Sequence, residues 1–341
     1  MQFMGKDKAR ELSSDIFQGL TEHNVNDTLE SNDAIAGTLS SLRDLTISGC
    51  GNIVSLHDFL DPASVSTIRK IKIDGCTSLV SVATGSACLE ELEVVNCPNI
   101  CSQRFVEPYL RSLKVFNSGN LAHNINCCSL TYFAFSSDCD TIILSVPALW
   151  ELRISDCRYL TSIRTGGIGA FPSLDSITFY GCVKLPTLDD FLTADLPAVE
   201  KITVSGCPVL LSMPGERFVS FPSLKDFEVK WCPRVNWQRG LVLPSSLQIL
   251  SFNDCRDISI VFPSCLQNLG FLVSLNIHHC QGIKSIPGNV WQSNLLSLKR
   301  LTITSCPNLE SIGGEEAIAK IEYVKVTLCL KMKDILRTPP S

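Results

Sequence analysis

The chain has 341 residues, 45% of them hydrophobic and 18% charged, with a formal net charge of −5. That is ample material for an extended core, and a balance so close to neutral excludes a general nucleic-acid surface. No run approaches the roughly 18 apolar residues needed to span a bilayer as a helix.

Residues 1–41 hold three Lys/Arg and seven Asp/Glu, so most of the net charge sits there. Met1 to Lys8 turns polar within five residues and lacks the apolar stretch of a secretory leader. Lys6 to Leu20 reads as a short amphipathic helix with Ala9, Leu12, Ile16 and Leu20 near one face. Such a helix could bind a partner, but covering the open end of the repeats that begin at Leu42 is the better reading, because terminal repeats need a polar outer face. Residues 21–41 read as a polar linker. Asn26-Asp27-Thr28 is the one glycosylation sequon, which is a chance expectation.

From Leu42 the motif L-x-x-L-x-I-x-x-C-x-x-L recurs thirteen times, opening at Leu42, Ile68, Leu89, Leu110, Leu130, Leu149, Leu174, Val199, Leu224, Leu247, Leu272, Leu298 and Ile321. The mean period of about 23 is that of a leucine-rich repeat. In the first copy Leu45 and Ile47 are two apart and share one face of an extended segment, while Asp44, Thr46 and Ser48 share the other. One such strand cannot bury its apolar face alone, so successive copies stack into a parallel sheet. The expected fold is an α/β solenoid: a horseshoe of about 13 repeats over residues 42–332, with the sheet on the concave face and irregular or short helical segments on the convex face. Residues 333–341 are read as a short C-terminal tail.

Pro follows the cysteine at Pro98, Pro208, Pro233 and Pro307, ending the strand because it has no N–H to donate. Repeats opening between Ile68 and Leu149 are only 19–21 residues apart, against 25 between Leu149 and Leu224. The short ones lack room for a helix and predict extended returns. Ser118 replaces the cysteine in the fourth copy. In the fifth, Asp138 falls on that position with Cys139 displaced by one.

Seventeen cysteines invite a disulfide or zinc reading. Eleven of them, Cys50, Cys76, Cys97, Cys157, Cys182, Cys207, Cys232, Cys255, Cys280, Cys306 and Cys329, hold the repeat position and form a column. A thiol is small, tolerates burial and can reach a neighbouring carbonyl, so structural thiols are expected. No C-x-x-C pair exists and none of the spacings matches a zinc site, so no metal is expected. The odd cysteine count and the lack of a leader point to a reducing, cytoplasmic compartment.

No catalytic motif is present. Gly166-Gly167-Ile168-Gly169 lacks the lysine of a phosphate loop. Asp189-Asp190 and Glu315-Glu316 fall in return segments, where solvated carboxylates are expected. His278 and Cys280 could share a metal only if they faced the same side, but the repeat pattern points His278 to the concave face and Cys280 inward. No enzyme activity and no cofactor are expected.

The outward strand positions are the informative surface. Phe116, Tyr132, Tyr180 and Tyr323 place aromatic rings where only a polar residue is required, with Trp150 and Trp231 at strand flanks. Charge varies by layer through Lys72, Glu93, Arg153, Glu228, His278 and Arg300. Aromatics ringed by polar groups are the composition of interface anchors, so these twelve residues are the candidate protein-binding set. The competing reading is that the rings pack only on neighbouring layers.

The unit L-x-x-L-x-I-x-x-C-P-x-L, often preceded by F-P-S-L, resembles the C-terminal repeats of plant nucleotide-binding leucine-rich-repeat disease-resistance proteins of the coiled-coil class. The segments Phe221 to Val235 and Cys306 to Ile312 carry the likeness best, which extends over roughly residues 42–332. The resemblance implies a cytosolic innate-immunity role in which the repeats sense a pathogen effector or a modified host protein, or restrain a nucleotide-binding module. No such module is found in these residues, so nucleotide binding does not carry over, and a truncated receptor remnant stays open. F-box proteins, the substrate-recognition subunits of ubiquitin ligases, also carry cysteine-bearing repeats. Lys6 to Ser41 does not resemble an F-box, and their repeat tends to continue C-x-x-I-T-D where this one runs C-P-x-L-x-S-I. The expected partner is a protein, with neither nucleic acid nor membrane, and the chain is expected to be a monomer.

Overall fold

The computed structural model describes residues 9–12, 43–56, 67–82, 86–101, 105–119, 121 and 124–333. They form a parallel β-solenoid with few helices. The chain divides into two compact units, Met1–Glu151 with Arg164–Ile168, and Leu152–Ile163 with Gly169–Ser341.

In the first unit β1 (Ala9–Leu12), β2 (Asp44–Ser48), β3 (Lys70–Asp74), β4 (Glu91–Val95), β5 (Ser112–Phe116) and β7 (Tyr132–Ser136) stack side by side and parallel, in that order. The register sets Leu45 beside Ile71, then Leu92, Leu113 and Phe133. These side chains, with Ile47, Ile73, Val94, Val115 and Phe135 two residues on, are buried. Each contributes roughly 1.5–3 kcal/mol, which one strand could not collect without its neighbours.

Ala9–Leu12 corrects the expectation of a capping helix over Lys6 to Leu20. It is a strand paired with β2, Ala9 beside Asp44 and Leu12 beside Ile47. The first strand of a ladder presents a row of open N–H and C=O groups, and another strand satisfies them where a helix cannot. The rest of that segment, the linker over 21–41 and residues 334–341 of the tail lie outside the described residues.

The short repeats return in extended form, as their spacing predicts. Behind the main strands β6 (Asn124–Ile125) pairs with β8 (Thr141–Leu144), and single bridges join Ser55 to Ser81 and Phe105 to Ile125. β9 (Glu151–Ser155) and β10 (Ser162–Arg164) fall where the two units divide.

The second unit stacks β11 (Ser176–Tyr180), β12 (Lys201–Ser205), β13 (Asp226–Lys230), β14 (Ile249–Asn253), β15 (Ser274–His278), β16 (Arg300–Thr304) and β17 (Tyr323–Thr327), again parallel and in register. Its longer returns hold α1 (Asp189–Leu192), α2 (Glu315–Ile318), 3₁₀ turns at Gly215–Ser220, Arg256–Ile260 and Ser264–Leu266, and a π turn at Val290–Asn294. The extra length is used to fill the core with aromatics. Phe218 meets Phe227 edge-on at 4.8 Å between ring centres, Phe227 meets Phe252 at 6.3 Å, and Phe252 meets Trp237 at 6.3 Å. Such pairs add roughly 0.5–1.5 kcal/mol beyond area burial. At β17 the pattern weakens: Val324 and Val326 are only half-buried, and α2 buries nothing.

From β2 onward each main strand except β7 is followed by a residue with positive φ. Gly49 and Gly206 both have φ of 65°, but Asn96, Asp156, Trp231 and His279 occupy the same place at 50–53°. The turn lets one more amide join the ladder: Gly206 N–H donates to the Lys230 carbonyl at 3.0 Å and Trp231 N–H to the Asn253 carbonyl at 2.8 Å. Two residues past the strand the cysteine points inward. Cys232 Sγ donates to the Lys230 carbonyl at 3.1 Å and lies 3.9 Å from the Val204 carbonyl one layer back. Cys255 and Cys280 repeat the arrangement.

The fifth copy departs from expectation. Asp138 does not take the cysteine place; it is exposed, while Ser137 and Cys139 are buried. The Ser137 hydroxyl donates to the Ser118 carbonyl and accepts from Ser118 N–H at 2.9 Å. A carboxylate in the column would be a buried, unpaired charge. The turn therefore slips by one residue, and Ser137 is absent from the positive-φ set.

Candidate functional site

In the first unit the central outward row reads Thr46, Lys72, Glu93, Lys114 and Ala134. Lys72 Nζ lies 2.9 Å from Glu93 Oε1, and Lys114 Nζ lies 3.9 Å from the other oxygen of Glu93. Lys114 also sits 5.7 Å from the centre of the Tyr132 ring. One row away Lys70 meets Glu91 at 3.0 Å. The lysine pKa values of both pairs rise through the hydrogen bond to the facing glutamate. Exposed pairs of this kind contribute about 0–1 kcal/mol, so they set pattern more than stability. Phe116 and Tyr132 are both half-buried on adjacent strands but at opposite ends, Phe116 beside Ser136 and Tyr132 beside Ser112. Trp150 is exposed at the entry to β9, its N–H bonded to the Thr131 carbonyl.

In the second unit three outward rows cross β11 to β17. The first reads Ser176, Lys201, Asp226, Ile249, Ser274, Arg300 and Tyr323, and the last runs from Tyr180 through Lys230, Asn253 and His278 to Thr327. Arg300 and Tyr323 are brought together, with the guanidinium carbon 5.6 Å from the ring centre. Glu228 is met by Lys230 on its own strand at 2.5 Å. Tyr180 and Arg153 are exposed on their strands. Trp231 stands off the rows, half-exposed at the turn beyond Lys230. His278 faces outward and is half-buried, while Cys280 points inward. Burial holds the His278 imidazole below its usual pKa, and His279, Lys230 and Lys325 push it the same way.

Two grooves border these rows. One, of about 450 Å³, runs past Trp231, Asn253, Asp254, His279 and Leu328 at the strand exits. The other, of about 410 Å³, lies at the strand entries between Ile249, Val273, Lys299, Arg300, Glu322 and Tyr323.

The twelve expected residues omit Ile249 and Val273, which are 40% and 36% exposed in that second groove. The outward positions of the copy opening at Leu247 held the signal, an isoleucine where a polar residue suffices. Asp189 corrects the picture of a solvated carboxylate. It is half-buried and accepts from Ser212 Oγ at 2.6 Å and from Arg239 at 3.3 Å, while its second oxygen is buried without a partner.

Burial pushes the thiols of Cys50, Cys127 and Cys280 up to about 11 and that of Cys265 to about 12, which keeps them protonated and unreactive. Among the described residues no group of three or more His, Cys, Asp or Glu could hold a metal ion, and no helix is long and apolar enough to cross a membrane. No protein-family model matches the chain, and no curated protein matches it.

Proposed function

We propose that the chain is a non-catalytic protein-recognition module that binds through the outward face of its main strands. One observation carries this reading. The core beneath the strands is complete without Tyr132, Tyr180 and Tyr323, yet their rings stand half-buried or exposed among charged neighbours on that face. Rings in that setting supply large contact area at low ordering cost, which is why they anchor interfaces.

The finer reading takes each of the thirteen motif copies as one leucine-rich repeat of a horseshoe whose concave side is this face. The likeness of Phe221 to Val235 to plant disease-resistance repeats supports a cytoplasmic role in innate immunity. The partner is then a pathogen effector, a host protein that effectors modify, or a nucleotide-binding module.

The test is affinity capture from infected and uninfected plant tissue, comparing wild type with a Phe116→Ala/Tyr180→Ala variant of unchanged circular dichroism. A protein retained by the wild type and lost by the variant supports the reading. Recovery of ubiquitin-ligase subunits moves the function to substrate selection. Identical captures by both chains overturn it.

A further inference from the structure

We propose that the groove at the entries of β14 to β17 receives a single carboxylate and a nearby apolar side chain, both carried on an extended segment of a protein partner. The inference rests on the recognition reading above and specifies its chemistry.

The charge in the groove is unbalanced at one residue. Lys299 Nζ lies 3.4 Å from Glu322 Oε1, so these two answer each other. Arg300, exposed beside them, engages only the Tyr323 ring among the described residues. A ring face offers no oxygen to the guanidinium N–H groups, so they stay available, and they form a planar fork matched to a carboxylate. The ring also fixes the fork, which lowers the ordering cost of binding. Glu322 in the same groove disfavours a doubly charged phosphate.

The apolar half is supplied by Ile249 and Val273, aliphatic side chains exposed at 40% and 36% on the near side of the groove. The register puts Ile249 in the row of Arg300, two strands away. Neighbouring strands lie about 4.8 Å apart, so the two subsites are roughly 10 Å apart, which an extended segment of polyproline II geometry covers in about three residues, one full turn, with both side chains on one face. The matching sequence is therefore an Asp or Glu about three positions from a Leu, Ile, Val or Phe.

The probe is a phage-displayed library of random nonapeptides panned on the full chain, with the urea-unfolded chain as background. Enriched peptides should carry the acid–apolar pair at that spacing. Binding of a synthetic copy should fall at least about tenfold on Arg300→Gln, on Ile249→Thr and on replacing the acid by its amide. Combining Arg300→Gln with the amide peptide should add little further loss. Arg300→Gln should melt with the wild type, since its side chain lies outside the core. Peptides that respond to Tyr180→Ala but not to Arg300→Gln would overturn the carboxylate site while leaving the recognition reading standing. Enrichment without an acid, or none above background, would also overturn it, and the tissue capture then judges the wider reading by itself.

Discussion

Trp231 holds the same left-handed turn position that Gly206 holds one repeat earlier, at φ 50° against 65°. Both amides donate to the last carbonyl of the next strand, so the fold needs this conformation whichever residue supplies it. Left-handed backbone costs a residue with a Cβ roughly 1–2 kcal/mol. Gly206→Val should therefore lower stability by about that amount. Trp231→Gly should stay within about 1 kcal/mol of wild type, because relieved strain offsets the contacts of a half-exposed ring. Urea unfolding of the two variants measures both. A large loss in Trp231→Gly would make the ring a packing element.

The cysteine column gives a second prediction. Cys182 is fully buried, donates to the Tyr180 carbonyl at 3.6 Å and lies 4.0 Å from the Ile154 carbonyl. Cys182→Ala removes a small side chain and weak hydrogen bonds and should cost about 1–2 kcal/mol. Cys182→Asp would bury an unpaired charge and should cost several times more or prevent folding. Thermal melts of both variants decide it.

Thiol accessibility gives a third. Of 17 cysteines, Cys101 and Cys128 are exposed and Cys88 and Cys329 partly so, while the others are buried. An excess of a thiol reagent on the native protein should label Cys101 and Cys128 first and Cys88 and Cys329 next. The buried thiols should react only in denaturant. Rapid labelling of Cys207 or Cys232 in native conditions would contradict the packing described for the column.

His278 sets a pH dependence. Its folded pKa lies below 6.5 because burial, then His279, Lys230 and Lys325, disfavour the cation. Between the folded pKa and 6.5 the unfolded chain binds more proton than the folded chain, so stability falls as pH drops below about 6.5 and is unaffected by His278 above it. His278→Asn should flatten that acid-side slope in urea titrations between about pH 5 and pH 7.5. An unchanged slope would assign it to other groups.

Much of this architecture is legible in the sequence because the repeat encodes two simple periodicities. Leu45 and Ile47, two apart, specify a strand with one buried face, and the cysteine two places beyond most strands marks the inward turn. What was hidden is tertiary. Ala9–Leu12 has helical spacing, but the open edge of β2 wins it for the sheet. The slip at Ser137 follows from the cost of burying Asp138, which a motif count does not weigh. The partnership of Arg300 with Tyr323 depends on register across two strands separated by a return of 18 residues (305–322), and Ile249 joins their groove only once β14 is placed. The outward face itself was readable from the rings at Tyr132, Tyr180 and Tyr323; its grooves were not.

The most direct test of the recognition face uses the chain's five tyrosines. Tyr132, Tyr180 and Tyr323 lie on the outward strand face, whereas Tyr109 and Tyr159 are exposed in turns away from it. Tyrosine nitration of the free chain and of its captured complex, read peptide by peptide by mass spectrometry, reports all five at once. Partner-dependent protection of Tyr180 and Tyr323, with Tyr109 and Tyr159 unchanged, is the predicted result. Protection of Tyr109 or Tyr159 with Tyr132, Tyr180 and Tyr323 still reactive would place the partner elsewhere and contradict the account.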